Sequence, residues 1–354
     1  MQTKNHYLFI DFLKVFAAFI IILHHLSSYG QMAQDARKLL PGVMGCLFEY
    51  GRYAVQIFLV MGGYLAAQSL MRANAVDKPR NTLKLIINRY LRLFAPYVVA
   101  LVFTIACAWV ARFWVSDEFV GESETLKQFL AHLFFLQGVL GLDSISAGVW
   151  YVAIDWQLYA ALTIMLATFP GYRSLIWMAT ILIVASLLYF NRLTQYENYF
   201  FYFIGSYGLG VLVHLAKDHA DPAIKKLSQV LLALIGVIVL ISSFQDLWIR
   251  NILAYVVAIA LVLWGSRAYK DEKHRKMHNL VFSILWGSRR SYCAFLLHFS
   301  FILIANTIYI ASGLSLLNNG LIAIGFMLAT MMASWFTANY LYRYVEVPAR
   351  HFKL

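Results

Sequence analysis

Ten stretches of about 20 mostly apolar residues recur along the chain, and they constrain its fold more than any other feature. About 20 apolar residues is the length that an α-helix needs to cross the hydrocarbon core of a bilayer. They lie near 7–28, 50–71, 94–115, 149–169, 174–190, 196–216, 225–245, 249–266, 291–312 and 320–342. The sequence therefore predicts an all-α, polytopic membrane protein with about ten transmembrane helices.

The composition excludes the other main classes of protein. Hydrophobic residues make up 61% of the 354 residues and charged residues only 13%. Too little polar surface remains to cover a soluble globule, and intrinsic disorder requires the opposite balance. Three cysteines are too few for a disulfide scaffold of this size. We expect a single integral-membrane domain over residues 1–354, with no appended soluble domain.

The basic residues predict the orientation of the chain in the membrane. With the N-terminus inside, 21 of the 29 Lys and Arg residues fall on the inner side, seven on the outer side, and Lys14 within the first span. An excess of Lys and Arg in cytoplasmic loops is the usual pattern in membrane proteins. Both termini are therefore expected in the cytoplasm. The net charge of +12 requires no nucleic acid as a partner.

Two segments between the spans are unusual. Residues 76–93 alternate basic and apolar residues at helical spacing, which predicts an interfacial helix that contacts membrane lipids. Residues 116–148 begin with acidic residues and continue into an apolar run. This outer segment is too long for a simple connection, and we expect it to cover an external cavity.

The first span carries Asp11, Lys14, His24 and His25. Lys14 and His25 are eleven residues apart, so they share one helix face at a separation of about 16 Å. Asp11 precedes Lys14 by three positions and can pair with it. Ionisable groups at membrane depth indicate function by default. The alternative is that Asp11 and Lys14 reach towards the cytoplasm and that His25 lies near the outer headgroups.

Two further ionisable residues lie in apolar surroundings. Asp155 is flanked by Trp150, Trp156 and Tyr159, so it either pairs with a cation or stays neutral. It is a candidate functional group, with a structural hydrogen-bonded carboxylate as the alternative. A lone histidine among apolar residues is more often a packing residue than a catalyst, and His298 is a candidate for either role. No HExxH or CxxC spacing occurs, so no metal site is predicted.

The cytoplasmic side offers further candidates. Arg89 and Arg92 share a helix face, and two guanidinium groups there suit phosphate, although attraction to anionic lipid headgroups is an alternative. Glu346 ends the last span and is either functional or part of a surface ion pair. The small residues Gly62 and Gly63 predict close helix packing.

Six segments, in order along the whole chain, resemble the motifs of the integral-membrane acyltransferases called acyltransferase family 3. They are IDFLKVFAAFIIILHH, FLVMGGYL, NRYLRLFAPY, VWYVAIDWQLY, SYCAFLLH and YVEVPAR. The residues that match the motifs are Lys14, His25, Arg89, Arg92, Pro96, Trp150, Asp155, Gln157, Tyr159, His298, Glu346 and Pro348. The chain departs from the family pattern at Gly62, where serine is usual, and at Asp155, where glutamate is commoner.

The resemblance implies transfer of an acyl group, usually acetyl from cytoplasmic acetyl-CoA, to a hydroxyl of a carbohydrate or lipid-linked glycan. It also implies a bacterial inner membrane and a role in polysaccharide O-acetylation. Lys14, Arg89 and Arg92 are then expected to hold the phosphates of coenzyme A, with the pantetheine arm running outward along the first span. His25 is the expected general base or acyl carrier, with Asp155 either orienting it or stabilising its protonated form. The expected supporting residues are Asp11, Trp150, Tyr159, His298 and Glu346.

A proton-coupled secondary transporter or flippase is the alternative function. It would use Asp11, Lys14, Asp155 and His298 as a proton relay. Such proteins favour internal repeats and broken helices near the bilayer midplane, and neither pattern is visible in the sequence.

Overall fold

The computed structural model describes residues 7–73, 75–76, 81–245, 248–265 and 278–352. The helices in these ranges are α1 (Leu8–Ser28), α2 (Gly30–Leu39), α3 (Pro41–Tyr50), α4 (Val55–Arg72), α5 (Thr82–Arg112), α6 (Leu126–Leu133), α7 (Val149–Thr168), α8 (Tyr172–Leu188), α9 (Phe200–Asp218), α10 (Pro222–Gln245), α11 (Ile249–Trp264), α12 (His278–Ala311) and α13 (Gly320–Leu341). A π-helical turn, Tyr342–Glu346, continues α13.

The all-α, polytopic prediction is confirmed. Within the described residues, nine helical stretches are long and apolar enough to cross a membrane. The eighth predicted span is the shorter helix α11, which has 16 residues. At 1.5 Å per residue, α11 is about 24 Å long, somewhat less than the hydrocarbon thickness.

Nine of the basic residues expected on the cytoplasmic side lie outside the described residues. They are Lys4, Lys78, Arg80, Arg267, Lys270, Lys273, Arg275, Lys276 and Lys353. The orientation of the termini therefore stays a prediction from the charge pattern.

Helix α5 corrects the expectation of a separate interfacial helix over residues 76–93. Residues 82–93 belong to one helix of 31 residues that continues through Pro96 into the span. Helix α7 holds two polar groups of this part of α5. The indole nitrogen of Trp156 donates to the Ile86 carbonyl at 3.4 Å, and Arg89 pairs with Asp155. The side chains of Leu83 and Lys84 stay exposed.

The long segment between α5 and α7 enters the membrane region instead of staying outside it. Two contacts place this segment against both halves of α5. Arg112, the last residue of α5, pairs with Glu124 at 2.7 Å, and the Tyr90 hydroxyl, near the start of α5, donates to the Leu133 carbonyl at 2.7 Å. Tyr90 and Arg112 are 22 residues apart on α5, or about 33 Å along its axis. The chain must therefore descend from Glu124 to Leu133 and return to the start of α7. We call residues 125–148 the re-entrant segment.

The turn of the re-entrant segment is fixed by contacts with α5 and α7. Phe135 has a φ of 57°, and its ring lies 4.9 Å from that of Tyr97. The Gln157 amide donates to the Phe135 carbonyl at 2.7 Å. Interior partners of this kind are what allow non-helical backbone at membrane depth.

Helices α4 and α9 pack with almost no space between their backbones. A side chain at Gly63 would overlap the Tyr207 carbonyl, and one at Gly210 would overlap the Val60 carbonyl. The close approach predicted from the glycines of α4 is therefore confirmed. It places the neighbouring Gly62 beside Asp155, because a β-carbon added at Gly62 would lie 3.0 Å from that carboxylate.

A buried polar cluster holds α2, which follows directly after the helix that carries His25. The Asp35 carboxylate is completely buried and accepts hydrogen bonds from Tyr309 at 2.9 Å and Lys38 at 2.9 Å. Burial raises the pKa of Asp35, but the hydrogen bonds from Lys38, Tyr309 and Gln31 outweigh it and leave this pKa below its usual value. The cluster ties α2 to α12 and so fixes the outer end of α1.

Candidate active site

Two cavities enter the helical assembly from opposite ends and meet at two shared side chains. We name the two cavities after the predicted orientation of the chain. The outer cavity has a volume of about 480 Å³ and includes His25 in its wall. The inner cavity has a volume of about 200 Å³ and includes Lys14. Tyr151 and Phe295 line both cavities. Lys14 and His25 thus face two adjoining compartments rather than the single continuous channel expected from their common helix face.

The wall of the outer cavity is rich in hydrogen-bonding and aromatic side chains. The returning limb of the re-entrant segment forms part of it, which agrees with the expectation that this segment covers an external cavity. The polar and aromatic residues of the wall are His24, His25, Tyr29, Arg52, Tyr53, Gln56, Gln137, Asp143, Ser144, Trp150, Tyr151, Gln157, Glu197, Asn198, Phe203, Arg250 and Phe295.

His25 is hydrogen-bonded to His298 and not to Asp155. The Nδ1 atom of His25 lies 2.6 Å from the Nε2 atom of His298, and the two ring planes differ by only 7°. His298 is completely buried, and its Nδ1 atom lies 2.5 Å from the Phe295 carbonyl oxygen. The predicted orientation of His25 by Asp155 is therefore wrong. His298, left open between packing and function, is the residue that contacts His25.

This arrangement fixes the proton positions of both neutral rings. A carbonyl oxygen only accepts, so the Nδ1 atom of His298 must donate to Phe295. The Nε2 atom of His298 then carries no hydrogen and accepts from the Nδ1–H of His25. The Nε2 atom of His25 is left with a free lone pair, which is the state that a general base or a nucleophile requires.

We expect His298→Leu to lower kcat by at least about tenfold, because the preferred tautomer of His25 is lost. Binding in the inner cavity should stay unchanged, since His298 does not line that cavity. His298→Gln should recover part of kcat, because its amide oxygen can accept from His25. Steady-state kinetics over a range of pH would check this. Equal losses in both variants would instead indicate a purely structural role for His298.

The inner cavity collects cationic side chains, and two of them are paired. Lys14 lies 3.5 Å from Asp11, which confirms the predicted i,i+3 pair. Arg89 pairs with Asp155 at 2.5 Å, and its guanidinium lies 5.4 Å from the centre of the Tyr159 ring. Asp155 thus takes the first of its two predicted forms, a carboxylate paired with a cation. Tyr159 completes the surroundings of Arg89.

Arg92 differs from its neighbours in the inner cavity. No ion pair joins it to a carboxylate within the part of the chain that the structure describes. Glu346 also lines this cavity, but it pairs with Arg350 at 2.6 Å and accepts from the Cys293 thiol at 3.1 Å. Arg92 therefore keeps the capacity to bind an anion from the cavity.

The residues of the alternative proton relay lie in different contacts of the described part of the chain. Asp11 pairs with Lys14, Asp155 pairs with Arg89, and His298 contacts His25.

Sequence reasoning did not select Phe58, Tyr151 and Phe295, the aromatic residues where the cavities meet. A signal was present, because each lies one helical turn before a residue of a motif. Phe58 precedes Gly62 by four positions, and Tyr151 precedes Asp155 by four. Phe295 precedes His298 by three, so each pair shares a helix face. Trp150, which the sequence predicted as a supporting residue, lines the outer cavity, and the centres of its ring and the Phe203 ring are 5.4 Å apart.

Comparison with known proteins gives one match. A family model described as an acyltransferase domain matches residues 7–339, nearly the whole chain. No curated protein and no solved structure matches the chain.

Proposed function

The chain belongs to this acyltransferase family, and on that premise we propose that it moves an acetyl group from cytoplasmic acetyl-CoA to a hydroxyl of a carbohydrate or lipid-linked glycan. It is a multi-pass membrane protein. We further propose that it resides in a bacterial inner membrane, as the family resemblance implies. Its basic residues predict that both termini lie in the cytoplasm.

One observation carries the proposal: a cationic cavity and a histidine-containing cavity adjoin inside the membrane region. A donor with a charged end and a long neutral arm requires both features. Its phosphates need cations on the side that supplies the donor, and its thioester must reach a base on the side of the acceptor. The rise of α1 puts Lys14 and His25 about 16 Å apart, a distance that only an extended substrate can bridge.

In the inner cavity, Lys14 and Arg92 are the proposed phosphate ligands. Arg92 is available without breaking an ion pair, and Lys14 is only loosely paired at 3.5 Å. Arg89 is committed to Asp155, so we assign it a positioning role in place of the direct phosphate contact that its motif implied. The Arg89–Asp155 pair fixes the wall of the cavity between α5 and α7.

In the outer cavity, His25 is the proposed general base. Its Nε2 atom takes the proton of the acceptor hydroxyl as the oxygen attacks the thioester carbonyl carbon. The new C–O bond forms, the C–S bond breaks, and the thiolate of coenzyme A leaves with a proton returned by His25. Hydrogen-bonding groups such as Gln157 and Asn198, with the ring of Trp150, give the outer cavity walls that suit a carbohydrate.

Two measurements test the function as a whole. Coenzyme A should raise the thermal unfolding temperature of the purified protein, whereas a transporter or flippase should not respond. Deletion of the gene should remove one acetyl mass per modified site from surface glycans, measured by mass spectrometry. Unchanged glycans together with no response to coenzyme A would contradict the proposal.

We expect Arg92→Ala and Lys14→Ala each to raise the KM for acetyl-CoA by about 10-fold to 100-fold. A hydrogen bond to a charged group contributes about 1.5–3 kcal/mol, and each 1.4 kcal/mol corresponds to a factor of ten. Lys14→Arg should retain most of the affinity, because it keeps the charge. Steady-state kinetics with varied acetyl-CoA would measure the effect.

Arg343→Ala is the matched control, because this arginine lies near the same end of the helices but outside the inner cavity. It should leave the KM within about twofold of wild type. An unchanged acetyl-CoA requirement in both cavity variants would refute the phosphate role.

A further inference from the structure

Three aromatic rings close the boundary between the two cavities. The ring centres of Phe58 and Tyr151 are 5.6 Å apart, those of Phe58 and Phe295 are 6.0 Å apart, and those of Tyr151 and Phe295 are 5.9 Å apart. Each separation is typical of rings in direct contact. The three rings therefore form a nearly equilateral cluster with no opening at its centre. We call Phe58, Tyr151 and Phe295 the aromatic septum.

The septum lies on the path that a shared substrate would take. Tyr151 and Phe295 line both cavities, and Phe58 lines the inner one. Lys14, Arg89 and Arg92 lie on the inner side of the septum, and the His25–His298 pair lies on the other. A donor bound at Lys14 and Arg92 reaches His25 only if at least one ring moves.

Two of the rings are braced and the third is not. Phe295 is only 4% exposed, and a β-carbon added at Gly148 would lie 3.0 Å from the tip of its ring. The backbone carbonyl of Phe295 also accepts the hydrogen bond from His298, which restrains the backbone of Phe295. Tyr151 is half-buried in the first turn of α7, and its ring also contacts that of Trp150, with 6.4 Å between the ring centres. Phe58 is half-buried as well, but among the described residues its ring contacts no aromatic ring outside the septum, so it is the ring with the fewest partners to hold it in place.

We propose that Phe58, Tyr151 and Phe295 contact the pantetheine arm of the donor, and that Phe58 closes the passage whenever the donor is absent. The inference rests on the proposed function. An apolar constriction excludes water and ions when it is empty, whereas a neutral arm passes by displacing one ring. The path through the membrane is then open only while the donor fills it.

The test is a leak assay on the full-length protein in proteoliposomes that enclose a pH-sensitive dye. After a pH step, wild-type vesicles should hold the gradient. Phe58→Ala should speed its collapse by at least about tenfold, because water can then bridge the two cavities. Coenzyme A added on both sides should slow that collapse again.

Phe301→Ala is the matched control. This half-buried phenylalanine lies on α12 with its ring 5.8 Å from that of Phe103, and it lines neither cavity. It should leave the vesicles as tight as wild type. If Phe58→Ala is no leakier than Phe301→Ala, the inference that the septum closes the passage is wrong. A leak that coenzyme A does not reduce would overturn the assignment of the passage to the donor.

Phe58→Trp provides a second test that does not rely on creating a cavity. It should keep the vesicles tight and lower kcat at least about tenfold, while coenzyme A still stabilises the protein through its phosphates. Wild-type kcat in this variant would overturn the inference and leave the proposed function intact. If coenzyme A does not stabilise the wild-type protein, the proposed function is wrong in its choice of acyl donor.

Discussion

Replacing His25 with alanine should lower acyl transfer by about 10²-fold to 10⁴-fold, the usual contribution of a well-placed general base. His25 is the one residue whose imidazole both lines the outer cavity and is held by His298 in the tautomer with a free Nε2 atom. The protein should still fold, because His25 contributes one hydrogen bond of modest net energy. Transfer of radiolabelled acetyl to the acceptor by purified protein would measure the loss.

His24→Ala is the control for this substitution. The Nδ1 atom of His24 lies 3.0 Å from the Leu47 carbonyl oxygen. The ring planes of His24 and His25 differ by 49°. We expect a small loss of stability and transfer within about threefold of wild type. Near-wild-type transfer by His25→Ala would exclude His25 as base and as acyl carrier alike.

Replacing Asp155 with alanine should destabilise the protein by about 3–5 kcal/mol, the usual cost of removing one partner of a buried ion pair. The side chains of Asp155 and Arg89 are only 7% and 25% exposed, so the remaining guanidinium would have little access to water. The double variant Arg89→Met/Asp155→Ala should regain much of the stability, because no uncompensated charge remains. Thermal unfolding of the purified proteins would show both effects.

The matched control is Asp143→Ala, which removes an exposed carboxylate from the wall of the outer cavity. It should change stability by no more than about 0.5 kcal/mol. The comparison also separates two roles for Asp155. A normal unfolding temperature in Asp155→Ala, combined with an altered pH dependence of transfer, would contradict the ion-pair role and favour direct action on His25.

The part of the site that the sequence predicted correctly is local. Asp11 and Lys14 are three positions apart on one helix, so the geometry of their pair follows from the helix alone. The absence of a side chain at Gly63 is also a local feature, because only such a residue admits a neighbouring backbone, although the sequence did not identify α9 as that neighbour.

The contacts that define the chemistry are not local. His25 and His298 are separated by 273 residues, and Arg89 and Asp155 by 66. Asp155 lies among aromatic residues in the sequence, so whether its partner is a cation or a histidine depends on which helix packs beside α7. The descent of the re-entrant segment was hidden for the same reason, because its apolar run fits a surface loop and a membrane insertion equally well.

The sequence by itself determined that the chain crosses the membrane many times as helices. The physical reason is that hydrocarbon offers no partner for backbone groups, so length and hydropathy are sufficient evidence. Only the tertiary structure decided that Lys14 and His25 face two compartments with Phe58, Tyr151 and Phe295 between them. Side-chain packing among distant helices set that division, and a one-dimensional pattern carries no information about which helices become neighbours.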